Sequence, residues 1–191
     1  TANSHLLETK PAKAQDSSKQ TADSSGNETA AFDATEPDSA ASKPDLKPQL
    51  INSDKGLQEL MQRLHTCTDP AAPVALDTET SDLNPFRAQL VGIGVCWGPG
   101  VDDLAYIPVG HRSAEEPTPD PTGTLKQLPL ETVLEQMAAW LASPKHPKAL
   151  QNAKYDRLIL LRHGLPLAGV TMDTLLADYL RDAAAKHGLD A

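Results

Sequence analysis

Large apolar side chains are scarce in the first 48 residues, where Leu6, Leu7, Phe32 and Leu46 stand among Ala, Ser, Thr, Asp and Lys. Such a stretch cannot bury enough surface to offset the entropy of ordering it, so residues 1–48 are expected to form a disordered linker. An arm that folds on a partner is the alternative for the same composition.

Periodicity begins at Gln49. After Ser53 or Asp54, either able to cap a helix, Leu57, Leu60, Met61 and Leu64 recur at helical spacing and predict an amphipathic helix. Asp69, Pro70 and Pro73 break the chain before Val74-Ala75-Leu76, the start of a buried strand. Leu90–Trp97 and Ala105–Val109 read as two more strands, and the turn-prone Gly98-Pro99-Gly100 between them predicts an antiparallel hairpin. His111 to Pro129 reads as an exposed loop.

Leu130, Val133, Leu134, Met137 and Leu141 form a second helical stripe closed by Ser143-Pro144. Ala149–Asn152 is a fourth strand, and Tyr155–His163 a helix stopped by Gly164 and Pro166. A last strand near Val170 leads to Asp173, an N-cap for a helix carrying Leu175, Leu176, Tyr179 and Leu180. Consecutive strands followed by alternation of strand and helix predict an α/β domain over residues 49–191, a mixed sheet with helices on both faces.

The hydrophobic fraction of 39% falls below the globular norm of roughly 45–50%, in keeping with an unpacked segment. The chain opens on Thr1 with no charged-then-apolar leader, which suggests a fragment edge without a targeting signal. Apolar runs stay far short of the roughly 20 residues of a membrane span. Cys67 and Cys96 are far apart and frame neither a disulfide scaffold nor a zinc site, so a reducing cytoplasm is expected. A net charge of −9 argues against a broad basic nucleic-acid surface. Divalent metals held between carboxylates would still let an acidic protein meet a phosphodiester.

Asp77 and Glu79, in Leu76-Asp77-Thr78-Glu79-Thr80, lie two residues apart on a strand and therefore point to the same face. The preceding apolar residues put them at the carboxyl end of that strand, where open α/β sheets hold ligands. Like charges so placed repel each other unless a cation is shared. Taken alone, the pattern also fits a solvated strand end. Asp156, in Gln151-Asn152-Ala153-Lys154-Tyr155-Asp156, falls where a strand passes into a helix, and alone it fits a helix-start cap equally well.

Four collinear blocks carry a resemblance. Leu76–Thr80 followed by Leu83, then Leu90-Val91-Gly92-Ile93-Gly94, then Ala105–Val109 with His111, resemble the first exonuclease motif and hairpin of family A DNA polymerases, the polymerase I group. Gln151–Arg157, followed by Gly164 and Asp173-Thr174-Leu175-Leu176, resembles the second exonuclease motif and the segment after it. The resemblance runs from about residue 50 onward. It implies a ribonuclease H-like fold, a mixed β-sheet flanked by helices, and a 3′-5′ proofreading exonuclease working on the single-stranded 3′ end of DNA.

By position, Asp77 and Glu79 match the first two acids of that family's site and Asp156 the third. The resemblance implies two divalent ions, Mg2+ or Mn2+, about 4 Å apart, bridged by Asp77, with Glu79 on the one that activates water and Asp156 on the other through water. The same matching places Leu83 against the terminal base and Thr78, Gln151, Asn152 and Tyr155 along the strand-binding groove. It further implies covalently linked 5′-nuclease and polymerase portions in a monomeric parent protein.

The family's third motif, Tyr-x-x-x-Asp or His-x-x-x-x-Asp, does not occur after Asp156: four places beyond Tyr179 stands Ala183, and the chain reaches Ala191 before a fifth place beyond His187. A domain incomplete at its C-terminus, with weak metal binding and little activity, is therefore expected. An RNA exonuclease related to ribonuclease D and a degenerate spacer domain are the alternatives. Trp97 and Trp140 are expected in the core and His111 on a surface loop. Lys154, Arg157 and Arg162 fit either a groove edge or a solvated helix face. Cys67 and Cys96 have no assigned role.

Overall fold

A computed structural model describes residues 45–112, 126–184 and 186–187. The linker expected over residues 1–48 lies outside them except for its last four residues, and of the loop expected after His111 only the two ends are described. Lys47, inside the expected linker, already donates its backbone N–H to the Val101 carbonyl at 2.7 Å.

Among the described residues, ten elements follow in order: β1 (Gln49–Leu50), α1 (Asp54–Thr66), β2 (Val74–Thr80), β3 (Leu90–Cys96), β4 (Leu104–Pro108), α2 (Leu130–Ala142), β5 (Lys148–Leu150), α3 (Ala153–Arg162), β6 (Val170–Asp173) and α4 (Thr174–Arg181). The strands form one mixed sheet in the order β1-β4-β3-β2-β5-β6. β3 pairs antiparallel with both β2 and β4, the latter as the hairpin turn predicts, whereas β5 pairs parallel with β2 and β6 parallel with β5. β1 was not foreseen, because a two-residue strand held only by parallel pairing to β4 has no period of its own.

Ser53 caps α1 through its hydroxyl, which accepts from the Gly56 N–H. Leu57, Leu60, Met61 and Leu64 of α1, Val133, Met137, Trp140 and Leu141 of α2, and Ile159 and Leu160 of α3 join the inward strand residues Val74, Leu76, Ile93, Val95, Ala105 and Ile107 in one core. All three helices thus cover one face of the sheet. α4 buries none of its side chains, and its first residue, Thr174, lines a groove on the other face of the sheet. Along β2, Val74, Leu76 and Thr78 are buried while Ala75, Asp77 and Glu79 are exposed, the alternation of a strand wet on one side. The open face forms an apolar groove of about 480 Å3 lined by residues that include Ala75, Asp77, Gly94, Cys96, Tyr106 and Ala149.

Lys148 is fully buried at the start of β5, paired in register with Val74. Its ammonium donates to the carbonyls of His146 at 2.8 Å, Ala168 at 3.1 Å and Ser143 at 3.4 Å, and lies 4.4 Å from the centroid of the buried Trp140 ring. Burial lowers its pKa to about 8. Ser143 caps the C-terminus of α2, where a cation is favoured. Trp140 is core, as expected, and Trp97 packs against its edge.

Candidate active site

β2 carries the two foremost acids to the open face in cross-strand register with two glycines, Asp77 opposite Gly94 and Glu79 opposite Gly92. Interior strand glycines mark places where something approaches the backbone closely. Nothing lies within 4 Å of the position a Gly94 side chain would take, so the space beside Asp77 is open. Burial first, and then the charge of Glu79, raise the Asp77 carboxyl above its ordinary range, with the Thr78 amide opposing them.

Asp156 arrives from the covered face, one turn into α3, and is 2% exposed. β5 pairs with β2 only at Val74 and Ala75, which leaves the Thr78 N–H beyond its end. Asp156 takes that donor: its Oδ1 accepts from the Thr78 amide at 3.0 Å and from the Thr78 hydroxyl at 2.6 Å. Burial raises the Asp156 carboxyl to about 6, the Thr78 hydroxyl works against this, and the charge of Asp77 adds to it. Thr78, matched to the strand-binding groove by sequence, is thus buried between the acids.

The turn into α3 is built on Asn152, whose φ of 60° lies in the left-handed region that Asn tolerates better than most residues. One carboxylate ties this turn to the next. Asp173 accepts from the Asn152 and Ala153 amides at 3.1 and 2.9 Å and from the Leu175 and Leu176 amides at 3.1 and 3.3 Å. Its capping of α4 follows from the sequence; its second role at α3 does not. Gln151 donates to the His187 carbonyl at 3.1 Å and accepts from the Thr174 hydroxyl.

Tyr155 reaches back to the far end of β2, its hydroxyl 2.5 Å from both the Asp82 carbonyl and the Thr80 hydroxyl. Asp82 and Asn84 side chains accept the Asn84 and Phe86 amides and fold the following loop into successive turns. Arg162, exposed near the end of α3, clamps that loop through the carbonyls of Pro85 at 2.7 Å and Ala88 at 2.6 Å. Leu83 stands out from the loop, 94% exposed. Lys154 and Arg157 are exposed on α3.

Sequence reasoning missed Gly92, Tyr106 and His111 as parts of the site wall. Tyr106 pairs with Gly94, and its ring leans over Gly92: a Cβ there would lie 1.9 Å from the phenol oxygen. His111 lies on the loop after β4, half-buried, with Nε2 2.6 Å from that oxygen. The signal was two glycines at alternate positions of one strand. Cys67 and Cys96 carry no disulfide.

Carboxylate oxygens beside open space suit a hard divalent cation. Asp77 and Glu79 fit one as a pair; among the described residues no three His, Cys, Asp or Glu side chains are gathered closely enough to hold an ion together. No helix among the described residues is long and apolar enough to cross a membrane.

A family model described as 3′-5′ exonuclease matches residues 48–191. DNA polymerase I of Synechocystis sp. is 40% identical over 144 residues, which are 75% of this chain and 14% of that protein. DNA polymerase I of Chloroflexus aurantiacus is 32% identical over 143 residues, 73% of this chain and 13% of that protein. The chain therefore spans a small part of the curated relatives it matches. The crystal structure of the Trypanosoma brucei RNase D–GMP complex aligns with a TM-score of 0.50 at 12% identity, over 70% of this chain and 35% of that one, a likeness of fold alone. The fold is ribonuclease H-like, and the chain belongs to the 3′-5′ exonuclease family of the family A DNA polymerases, a family of hydrolases.

Proposed function

We propose that this chain hydrolyses the 3′-terminal phosphodiester of DNA as the proofreading part of a polymerase of the DNA polymerase I type, with Asp77, Glu79 and Asp156 as its acidic centre. The observation that carries this reading is the pairing of Asp77 and Glu79 with Gly94 and Gly92 on the open face, beside an Asp156 coupled to Asp77. Asp77 and Glu79 would hold a divalent cation, Mg2+ or Mn2+, and Asp156 a second one through water. Ions so bound supply an activated water and neutralise charge on the leaving oxygen. Thr78 fixes the Asp156 carboxylate. Leu83, exposed on a loop pinned by Arg162, is placed to press on the terminal base. Gln151 and Asn152 lie on the turn between β5 and α3, where the strand would pass, and Tyr155 in the first turn of α3 holds the end of β2.

The parent polymerase would carry this domain as a monomer in the cytoplasm, beside covalently linked polymerase and 5′-nuclease portions. With three of the family's four acids in its 191 residues, the chain itself turns over slowly. Labelled single strands of DNA and RNA, incubated with the chain and Mn2+, test the reading. Slow removal of single nucleotides from the 3′ end of DNA, lost in Asp77→Ala, is expected. Faster removal from RNA would favour the ribonuclease D-like alternative, and equal rates for wild type and Asp77→Ala would favour a spacer.

A further inference from the structure

The phenol of Tyr106 and the imidazole of His111 lie against the site without a part in the reading above. Three strands are in register here: Asp77, Gly94 and Tyr106 form one row, and Glu79, Gly92 and Pro108 the next. Tyr106 leaves its own row. Its ring crosses the bare backbone of Gly92, and its hydroxyl fills the place of that residue's missing side chain. Directly opposed Cβ atoms of antiparallel strands sit roughly 5 Å apart, so the hydroxyl stands about one strand spacing from the Cβ of Glu79. Burial first, and then the charge of Glu79, raise the phenol's pKa.

On its other side the phenol oxygen meets His111 Nε2 at 2.6 Å. His111 is itself held: its backbone N–H donates to Gln127 Oε1 at 2.8 Å and its carbonyl accepts from Gln127 Nε2 at 3.0 Å. With the imidazole donating from Nε2 to a lone pair of the phenol oxygen, the phenol proton is left free for a second acceptor, and the charge of Glu79 already acts on this phenol.

We propose that Tyr106, oriented by His111, is a positioning residue for Glu79: its hydroxyl donates to the Glu79 carboxylate and sets the direction in which that carboxylate meets a divalent cation. The proposal rests on the reading that Asp77 and Glu79 hold the ion. Ligating carboxylates are commonly fixed by such partners, whose removal weakens metal affinity by roughly 10–100-fold.

Titration of Mn2+ into the whole chain, followed by the electron paramagnetic resonance signal of the free ion, tests it. Tyr106→Phe keeps the ring over Gly92 and removes the hydroxyl, and about tenfold weaker binding is expected. In a Glu79→Gln background the same substitution should change nothing further, because the partner it acts through is gone. His111→Leu should fall between wild type and Tyr106→Phe. Tyr106→Phe that binds like wild type, or whose effect persists undiminished on Glu79→Gln, would overturn the proposal, since a general packing defect is blind to residue 79. Asp77→Ala separates the two levels: if it too binds like wild type, the ion site itself is misassigned and both readings fall.

Discussion

A single oxygen of Asp156 receives both donors of Thr78, the amide at 3.0 Å and the hydroxyl at 2.6 Å. The residue between Asp77 and Glu79 in sequence is therefore the one that fastens Asp156. Thr78→Val keeps the shape and deletes one donor. A hydrogen bond to a charged group contributes about 1.5–3 kcal/mol, so the variant should unfold that much more easily in a denaturant titration and lose about tenfold in nuclease rate. Thr78→Ser should restore both.

The buried Asp156 also makes stability depend on pH. Its folded pKa of about 6 exceeds the ordinary 3.8, so the folded state holds this proton more tightly than the unfolded chain. Its contribution is fully present below about 3.8 and is lost as pH rises through about 6. Asp77 shifts in the same direction and adds to the trend. In chelator, the melting temperature of Asp156→Asn should fall less than that of wild type between pH 4 and pH 6, values taken from these two limits. Parallel curves would place the titration elsewhere.

Gly92 and Gly94 should respond differently to the same methyl group. At Gly92 it meets the Tyr106 ring, with the phenol carbon 2.3 Å away, and overpacking of this kind costs about 1–3 kcal/mol. At Gly94 it meets nothing within 4 Å. Gly94→Ala should keep or slightly raise the melting temperature while lowering Mn2+ affinity, because the methyl narrows the space beside Asp77. Gly92→Ala should lower the melting temperature outright.

Lys148 is buried and, among the described residues, has no carboxylate partner; its charge is held by three carbonyls and the Trp140 face. Lys148→Met fills the volume but strands those acceptors, and a loss of about 1–3 kcal/mol in chemical denaturation is expected. Lys148 opens the three-residue strand that leads into the β5–α3 turn, so hydrogen exchange of the Asn152 and Ala153 amides should quicken in the variant.

Much of this was legible in the chain. The period of two through Val74–Thr80 fixed which side chains face together, Gly98-Pro99-Gly100 announced the hairpin, and Asp173 announced α4. Missing from the local pattern was whatever depends on a second segment. Lys148 reads as a surface charge until Ala168 and Trp140 arrive beside it, which is why β5 begins one residue earlier than expected. Gln151 and Asn152 read as strand until Asp173, 21 residues on from Asn152, draws the Asn152 amide into a left-handed turn.

Crystals of the chain soaked in Mn2+ and measured at a wavelength where manganese scatters anomalously test the central claim most directly. The account predicts an anomalous peak on the open face of the sheet, bound by Asp77 and Glu79 above Gly94 and Gly92. A saturating soak that leaves that face without a peak, or seats the ion away from both carboxylates, would contradict it.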